Sequence, residues 1–149
     1  MKKIATVILA AGKGKRMRSK KAKVLHHIAG RPILFYPLEV AMRLSSAIVV
    51  VVGHQADSVK GLLEGNAKIK TVLQDQLLGT GDAVKRTKDA LADFDGDILV
   101  LNGDLPLIRV ITIRDVIRAH RQKGSPVTLV TAIMENPAGY GRISRDRNN

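Results

Sequence analysis

The sequence predicts an α/β fold built on a mostly parallel sheet with helices over both faces. Short runs that are apolar throughout, residues 4–10 and Ala47–Val52 above all, alternate with segments of helical character. Strands with no polar face belong in parallel sheets buried on both sides. Glycine-rich or acidic loops follow several of these runs, and ligands in such folds bind beyond the carboxyl ends of the strands.

The elements follow in order. Residues 4–10 read as the first strand. Residues 32–44 read as a helix, because Pro32 suits a first helical turn. Ala47–Val52 is a valine-rich strand ended by Gly53, and residues 56–63 form a short helix. Ile69–Leu73 is a strand. Residues 80–91 are a helix with Thr80 as its N-cap. Residues 97–101 form a strand and residues 111–122 a helix stopped by Gly124. Residues 127–133, rich in valine and leucine, are expected as a fifth strand. The chain shows no internal repeat, low-complexity segment or linker, and only residues 145–149 read as unstructured. Its 149 residues suit one domain with a real core.

Composition narrows the function classes. The absence of cysteine excludes a disulfide framework and thiolate metal sites, which fits a cytoplasmic protein. The longest apolar runs are too short to span a bilayer. Gly12 and the lysines after it break the first run in a way that speaks against a signal peptide. The net charge of +12 favours anionic partners: nucleotides, nucleic acid or acidic surfaces. Single-strand binders stack bases on aromatic rings, and Phe35, Tyr36, Phe94 and Tyr140 are few for that purpose, which speaks against nucleic acid.

The richest motif is Leu-Ala-Ala-Gly-Lys-Gly-Lys-Arg-Met, residues 9–17, running on to Lys-Val-Leu-His at 23–26. Two glycines let the backbone turn tightly and approach a ligand, and their N–H groups can face phosphate oxygens. Lys13, Lys15, Arg16 and Lys23 add positive charge to the same loop. A strand, a glycine turn and a basic cluster point to a triphosphate site; the competing reading is a solvated basic loop. The dinucleotide fingerprint fails because Met17 stands where its third glycine belongs, and the Walker pattern is absent.

Two further loops follow strands. Residues 74–82 read Gln-Asp-Gln-Leu-Leu-Gly-Thr-Gly-Asp. A glutamine there can read a base edge or a sugar hydroxyl, and Gly79-Thr80-Gly81 offers backbone donors, although a flanked helix cap explains the same residues. Residues 101–106 contain Asp104, which can hold Mg²⁺ beside phosphates or simply sit in a turn. Residues 137–143 form a glycine-rich turn before a short apolar strand. His26, His27, His54 and His120 lack metal spacing and receive no catalytic role.

In sequence order these segments resemble the sugar nucleotidyltransferases, and most closely the uridyltransferase half of bifunctional N-acetylglucosamine-1-phosphate uridyltransferases. The matching pieces are residues 9–17, 23–26, 52–55, 73–74 with 78–81, 102–107 and 139–143. Lys-Val-Leu-His and Gly-Tyr-Gly-Arg-Ile separate them from the molybdenum-cofactor guanylyltransferases.

The resemblance implies a Rossmann-like three-layer α/β/α nucleotidyltransferase fold whose C-terminal part lies beyond this chain. It implies transfer of UMP from UTP to N-acetylglucosamine 1-phosphate, with pyrophosphate released and Mg²⁺ as cofactor. Arg16 and Lys23 become the catalytic cations and Asp104 the metal ligand. Leu9, Ala10, Ala11, Gly12, Gly14, Lys23, Gln74, Gly79, Thr80 and Gly81 become the nucleotide site, with Gln74 and Gly81 on the uracil. Gly141 donates its N–H toward the sugar. The family pattern places the other sugar ligands and a second metal ligand in a continuation of the domain, and the acetyltransferase half is a β-helix that makes trimers. An oligomer is left open.

The chain departs from the pattern at Ala22, where proline is usual, at Asp82, where histidine is common, and at Leu77, where a polar residue is common. Two alternatives remain: a non-catalytic binder of nucleotide or polyanion, and a nucleotidyltransferase for another nucleotide or sugar 1-phosphate.

Overall fold

The computed structural model describes residues 2–145, and for Lys15 the backbone alone. The chain divides into two compact units, Met1–Ile113 and Arg114–Asn149.

The first unit is organised by four parallel strands: β1 (Lys3–Ala10), β4 (Ala47–Val52), β5 (Ile69–Leu73) and β6 (Gly96–Asn102). Their spatial order is β5-β4-β1-β6. The chain therefore builds outward from β1 through β4 to β5, then returns to the other side of β1. That reversal opens a crevice beside the carboxyl end of β1, where open α/β sheets hold their ligands.

Alternation along the strands sorts the core into two layers. Ile8 and Ala10 of β1 join Ile48, Val50 and Val52 of β4 on one face. There they meet Leu34, Leu38 and Ala41 around helix α1 (Phe35–Leu44), and Val59 of α2 (Ala56–Gly61). Val7 and Val51 point to the opposite face and meet Ala83 of α3 (Thr80–Lys85), with Leu91 of the following 3₁₀ turn (Asp89–Leu91) beside them. Helices thus cover both faces, as expected. Cover is incomplete at the edge, where Ile98 and Val100 of β6 remain about half exposed. Ile8 is fully buried in the larger layer, so Ile8→Ala is expected to lower unfolding free energy by about 2–5 kcal/mol in urea titrations.

Three local expectations are corrected. Pro32 does not open the first helix. A small antiparallel hairpin, β2 (His27–Ile28) with β3 (Arg31–Pro32), takes it, and the helix begins at Phe35. Ala29 and Gly30 make the turn with positive φ of 48° and 80°, the signature of a type I′ connection. The helix expected over 80–91 stops at Lys85 and resumes as the 3₁₀ turn. There Thr87 and Lys88 bond three residues back rather than four, and the Thr87 hydroxyl also donates to the Val84 carbonyl at 2.7 Å. That side-chain bond competes with regular helix.

The third correction is the fifth strand. Residues 127–133 adopt no strand, and Val127, Leu129, Val130 and Ile133 are each more than two-thirds exposed. A strand's hydrogen bonds lie outside the strand, and no described residue offers this segment a ladder. Helix α4 (Val110–Lys123) ends at Gly124, whose φ is +61°. Residues 141–145 likewise form no strand. The expectation for residues 145–149 falls, past Arg145, outside the described residues. No helix among the described residues is long and apolar enough to cross a membrane.

Candidate nucleotide-binding site

A cleft of about 680 Å³ opens at the carboxyl ends of β1, β5 and β6, within the first unit. β1 supplies Leu9 and Ala10, and the glycine loop supplies Ala11, Gly12, Gly14 and Arg16. Lys23 comes from the 3₁₀ turn that follows the loop. Gln74 stands just after β5, Gly79 and Thr80 enter α3, and Asp104 follows β6. Side chains from opposite ends of the first unit's sequence therefore share one wall.

Glycines make the close approaches possible. Gly14 has φ +62°, and a Cβ there would stand 2.7 Å from the Cβ of Lys23. Gly14→Ala is therefore expected to displace the Lys23 turn and cost about 1–3 kcal/mol, readable in urea denaturation. Gly53 lies between two neighbouring loops. A Cβ there would come 2.8 Å from the Ala11 side chain and 3.1 Å from the Gln74 carbonyl. Backbone bonds tie the loops together: His54 N–H donates to the Ala11 carbonyl at 3.1 Å, Gln74 N–H to Val52 at 2.8 Å, and Gly103 N–H to Leu9 at 2.8 Å. Gln55, at φ 55°, accepts the Ala22 N–H on its Oε1 at 2.6 Å. Ala22 is fully buried, so this bond anchors the backbone just before Lys23 without the usual proline.

Two cations, Arg16 and Lys23, and one carboxylate, Asp104, line the cleft. The Lys23 ammonium donates to Asp104 Oδ2, and both side chains are about one-third exposed to the cleft side of the sheet. Arg16 is exposed and pairs with no acidic group among the described residues. An unpaired guanidinium and a paired lysine–aspartate at one glycine loop suit a polyphosphate with a cation. No cluster of three or more His, Asp or Glu side chains able to hold a metal occurs among the described residues. Mg²⁺ does not require one: it keeps several waters and takes one or two carboxylates plus substrate phosphates.

Gln74 is 3% exposed. Its Nε2 donates to the Gly79 carbonyl at 3.0 Å and to Asp82 Oδ2 at 2.8 Å. Asp82 Oδ1 lies 3.5 Å from Arg86, which also meets Asp75 at 3.0 Å.

One candidate within the first unit is not brought to this wall. Gly81 is not among the residues lining the cleft. Gly141 lies in the second unit, beside a turn in which Gly139 has φ +79° and Arg142 donates to the carbonyls of Pro137 and Tyr140. Sequence reasoning missed Asn102, Met17, Val24, Leu77 and Ala83, which also line the cleft. Asn102 was within reach of it, since it closes β6 two residues before Asp104. It also missed the anchoring role of Gln55, whose left-handed backbone carries no sequence signal.

The family model for the MobA-like NTP transferase domain matches residues 6–146. The chain belongs to this family. Among curated relatives, the bifunctional protein GlmU of Pelobacter propionicus is 51% identical over 98% of this chain and 32% of its own length. GlmU of Anaeromyxobacter sp. (strain K) is 47% identical over 96% of this chain and 30% of its own. The chain thus spans about a third of the length of the curated relatives it matches. Solved structures agree on the fold. A nucleotidyl transferase from Methanothermobacter thermautotroptrophicus superposes with a TM-score of 0.65 at 24% identity, covering 78% of this chain and 57% of that one. Rv0371c of Mycobacterium tuberculosis H37Rv gives 0.62 at 23%, covering 80% and 62%. The resemblance drawn from the motifs and the α/β fold class both stand.

Proposed function

We propose that this chain is a cytoplasmic nucleotidyltransferase domain that binds UTP and transfers its UMP to N-acetylglucosamine 1-phosphate. The observation that carries this reading is the convergence of the glycine loop, Arg16, Lys23, Gln74 and Asp104 on one cleft. In the reaction a phosphate oxygen of the sugar phosphate attacks the α-phosphorus of UTP. The bond from that phosphorus to the bridging oxygen breaks, and pyrophosphate leaves with the electron pair. The nucleophile is already an anion, so the protein needs no general base.

What remains is positioning and charge neutralisation. The N–H groups of the glycine loop cradle the phosphates, Arg16 and Lys23 neutralise the charge that builds on them, and Gln74 reads the uracil. Asp104, with Asn102 beside it in the cleft, would hold Mg²⁺ through waters and phosphate oxygens. The ion would supply further neutralisation of the triphosphate.

The test is pyrophosphate release by this chain with UTP, N-acetylglucosamine 1-phosphate and Mg²⁺. Release that requires all three supports the reading, and no release overturns catalysis by this chain. A second reading, a non-catalytic polyanion binder, is favoured by the net charge of +12 and by exposed Lys13, Arg18, Lys20 and Lys21 around the loop. It predicts binding that ignores the base and falls steeply with salt.

A further inference from the structure

We infer that Gln55 is a positioning residue for Lys23: its hydrogen bond to the buried Ala22 N–H sets the backbone from which the lysine reaches the phosphates. The inference deepens the proposed function and rests on its reading of the cleft as a nucleotide site.

Gln55 stands at the start of α2 in the left-handed region, at φ 55° and ψ 43°. Glycine and asparagine adopt that conformation readily, and glutamine does not. The side chain gives its own helix nothing. It makes no capping bond, and only the Gln55 backbone carbonyl serves α2, accepting the Val59 N–H at 3.1 Å. Oε1 instead reaches a residue 33 positions away, accepting the Ala22 N–H at 2.6 Å. A strained backbone and a side chain turned away from the cap both point to a role across the loop.

The bond falls where Lys23 has least support. Downstream, Val24 and Leu25 are buried, and the Leu34 N–H donates to the Val24 carbonyl at 3.1 Å. Upstream, residues 16–21 are exposed. Among the described residues, every other hydrogen bond of residues 18–22 stays within residues 18–26. The Gln55 bond is thus the one that ties the upstream side of the turn to another element. Ala22 sits at φ −55° and ψ 140°, inside the range a proline ring would impose. Here the N–H is present, and its acceptor does the holding. The same loop grips the start of the excursion, since the His54 N–H donates to the Ala11 carbonyl at 3.1 Å. Residues 53–55 therefore fix both ends of the phosphate loop, and the Lys23 ammonium takes its place at Asp104 from the second of them. Asparagine at 55 keeps the polarity and suits the backbone, but its side chain is one methylene short of Ala22.

Calorimetric titration with UTP at one fixed salt concentration tests this as a double-mutant cycle. Gln55→Asn is expected to weaken UTP about threefold to tenfold, the loss of one hydrogen bond, with the melting temperature unaltered or raised. In a Lys23→Ala chain the same change should weaken UTP less than about twofold, because the group it positions is gone. In an Ala22→Pro chain, whose ring holds φ without an acceptor, it should again cost less than about twofold. Unaltered UTP affinity in Gln55→Asn overturns the inference. An equal loss with and without Lys23 also overturns it, since that is what a merely structural role gives. The Lys23 comparison decides even if the proline chain does not fold. No UTP binding by the unaltered chain overturns the proposed function as well. Hydrogen exchange at the Ala22 amide gives a reading free of nucleotide: slow in the unaltered chain and faster in Gln55→Asn, with equal exchange in the two contradicting the anchor.

Discussion

Arg16→Ala is expected to reduce pyrophosphate release about 10²–10³-fold while leaving the melting temperature unchanged. Both halves of that expectation follow from one fact. Arg16 is exposed on the wall of the cleft and pairs with no acidic side chain among the described residues. A guanidinium without an internal partner contributes little to folding. Its deletion therefore leaves no buried charge uncompensated, unlike deletion from a buried ion pair. Its value appears only when negative charge gathers on the phosphates during transfer. Lys23 is engaged by Asp104, so Arg16 is the cation of this pair that is free to meet the triphosphate first. UTP affinity should also fall, by about tenfold, as expected when one charge-assisted hydrogen bond is removed. A variant with unaltered turnover and affinity would remove Arg16 from the site.

Asp104→Asn should reduce turnover about a hundredfold or more, and its effect on binding changes sign with the metal. In the absence of Mg²⁺, the carboxylate repels the triphosphate and holds the Lys23 ammonium. Asparagine removes the repulsion and frees the lysine, so metal-free UTP should bind more tightly. With Mg²⁺ present, the unaltered chain gains affinity through its carboxylate and the variant gains little. Titration of both chains with UTP, with Mg²⁺ and with a chelator, should therefore give crossing affinities. Weaker binding of metal-free UTP by the variant would contradict the role given to the Lys23–Asp104 pair.

The parts of this molecule that follow a strong local rule were legible in the sequence. Strands β1 and β4 are apolar on both faces because helices cover both, and their boundaries came within a residue. Cleft residues were readable where a strand ends in glycine or an acid, as at Leu9 to Gly14 and at Asp104. Features set by partners distant in sequence were not legible. Residues 127–133 have strand-forming composition but no ladder. Pro32 serves a helix start equally well as a hairpin edge, and only pairing with His27 decides it. The helix after Thr80 carries no proline or glycine at its break; Thr87 stops it through one hydroxyl bond. Asp82 was legible as a departure from the family pattern, but its grip on Gln74 depends on Gly79 bending at φ +106° to bring the two together.

The measurement that bears most directly on the cleft is a backbone ¹⁵N amide titration of the chain with UTP and Mg²⁺ at physiological salt. The account predicts the largest saturable shifts at Ala11, Gly12 and Gly14, at Gln74, and at Gly79, Thr80 and Asp104. Shifts confined to the exposed Lys13, Lys20 and Lys21, equal for every triphosphate and abolished on raising the salt, would contradict it.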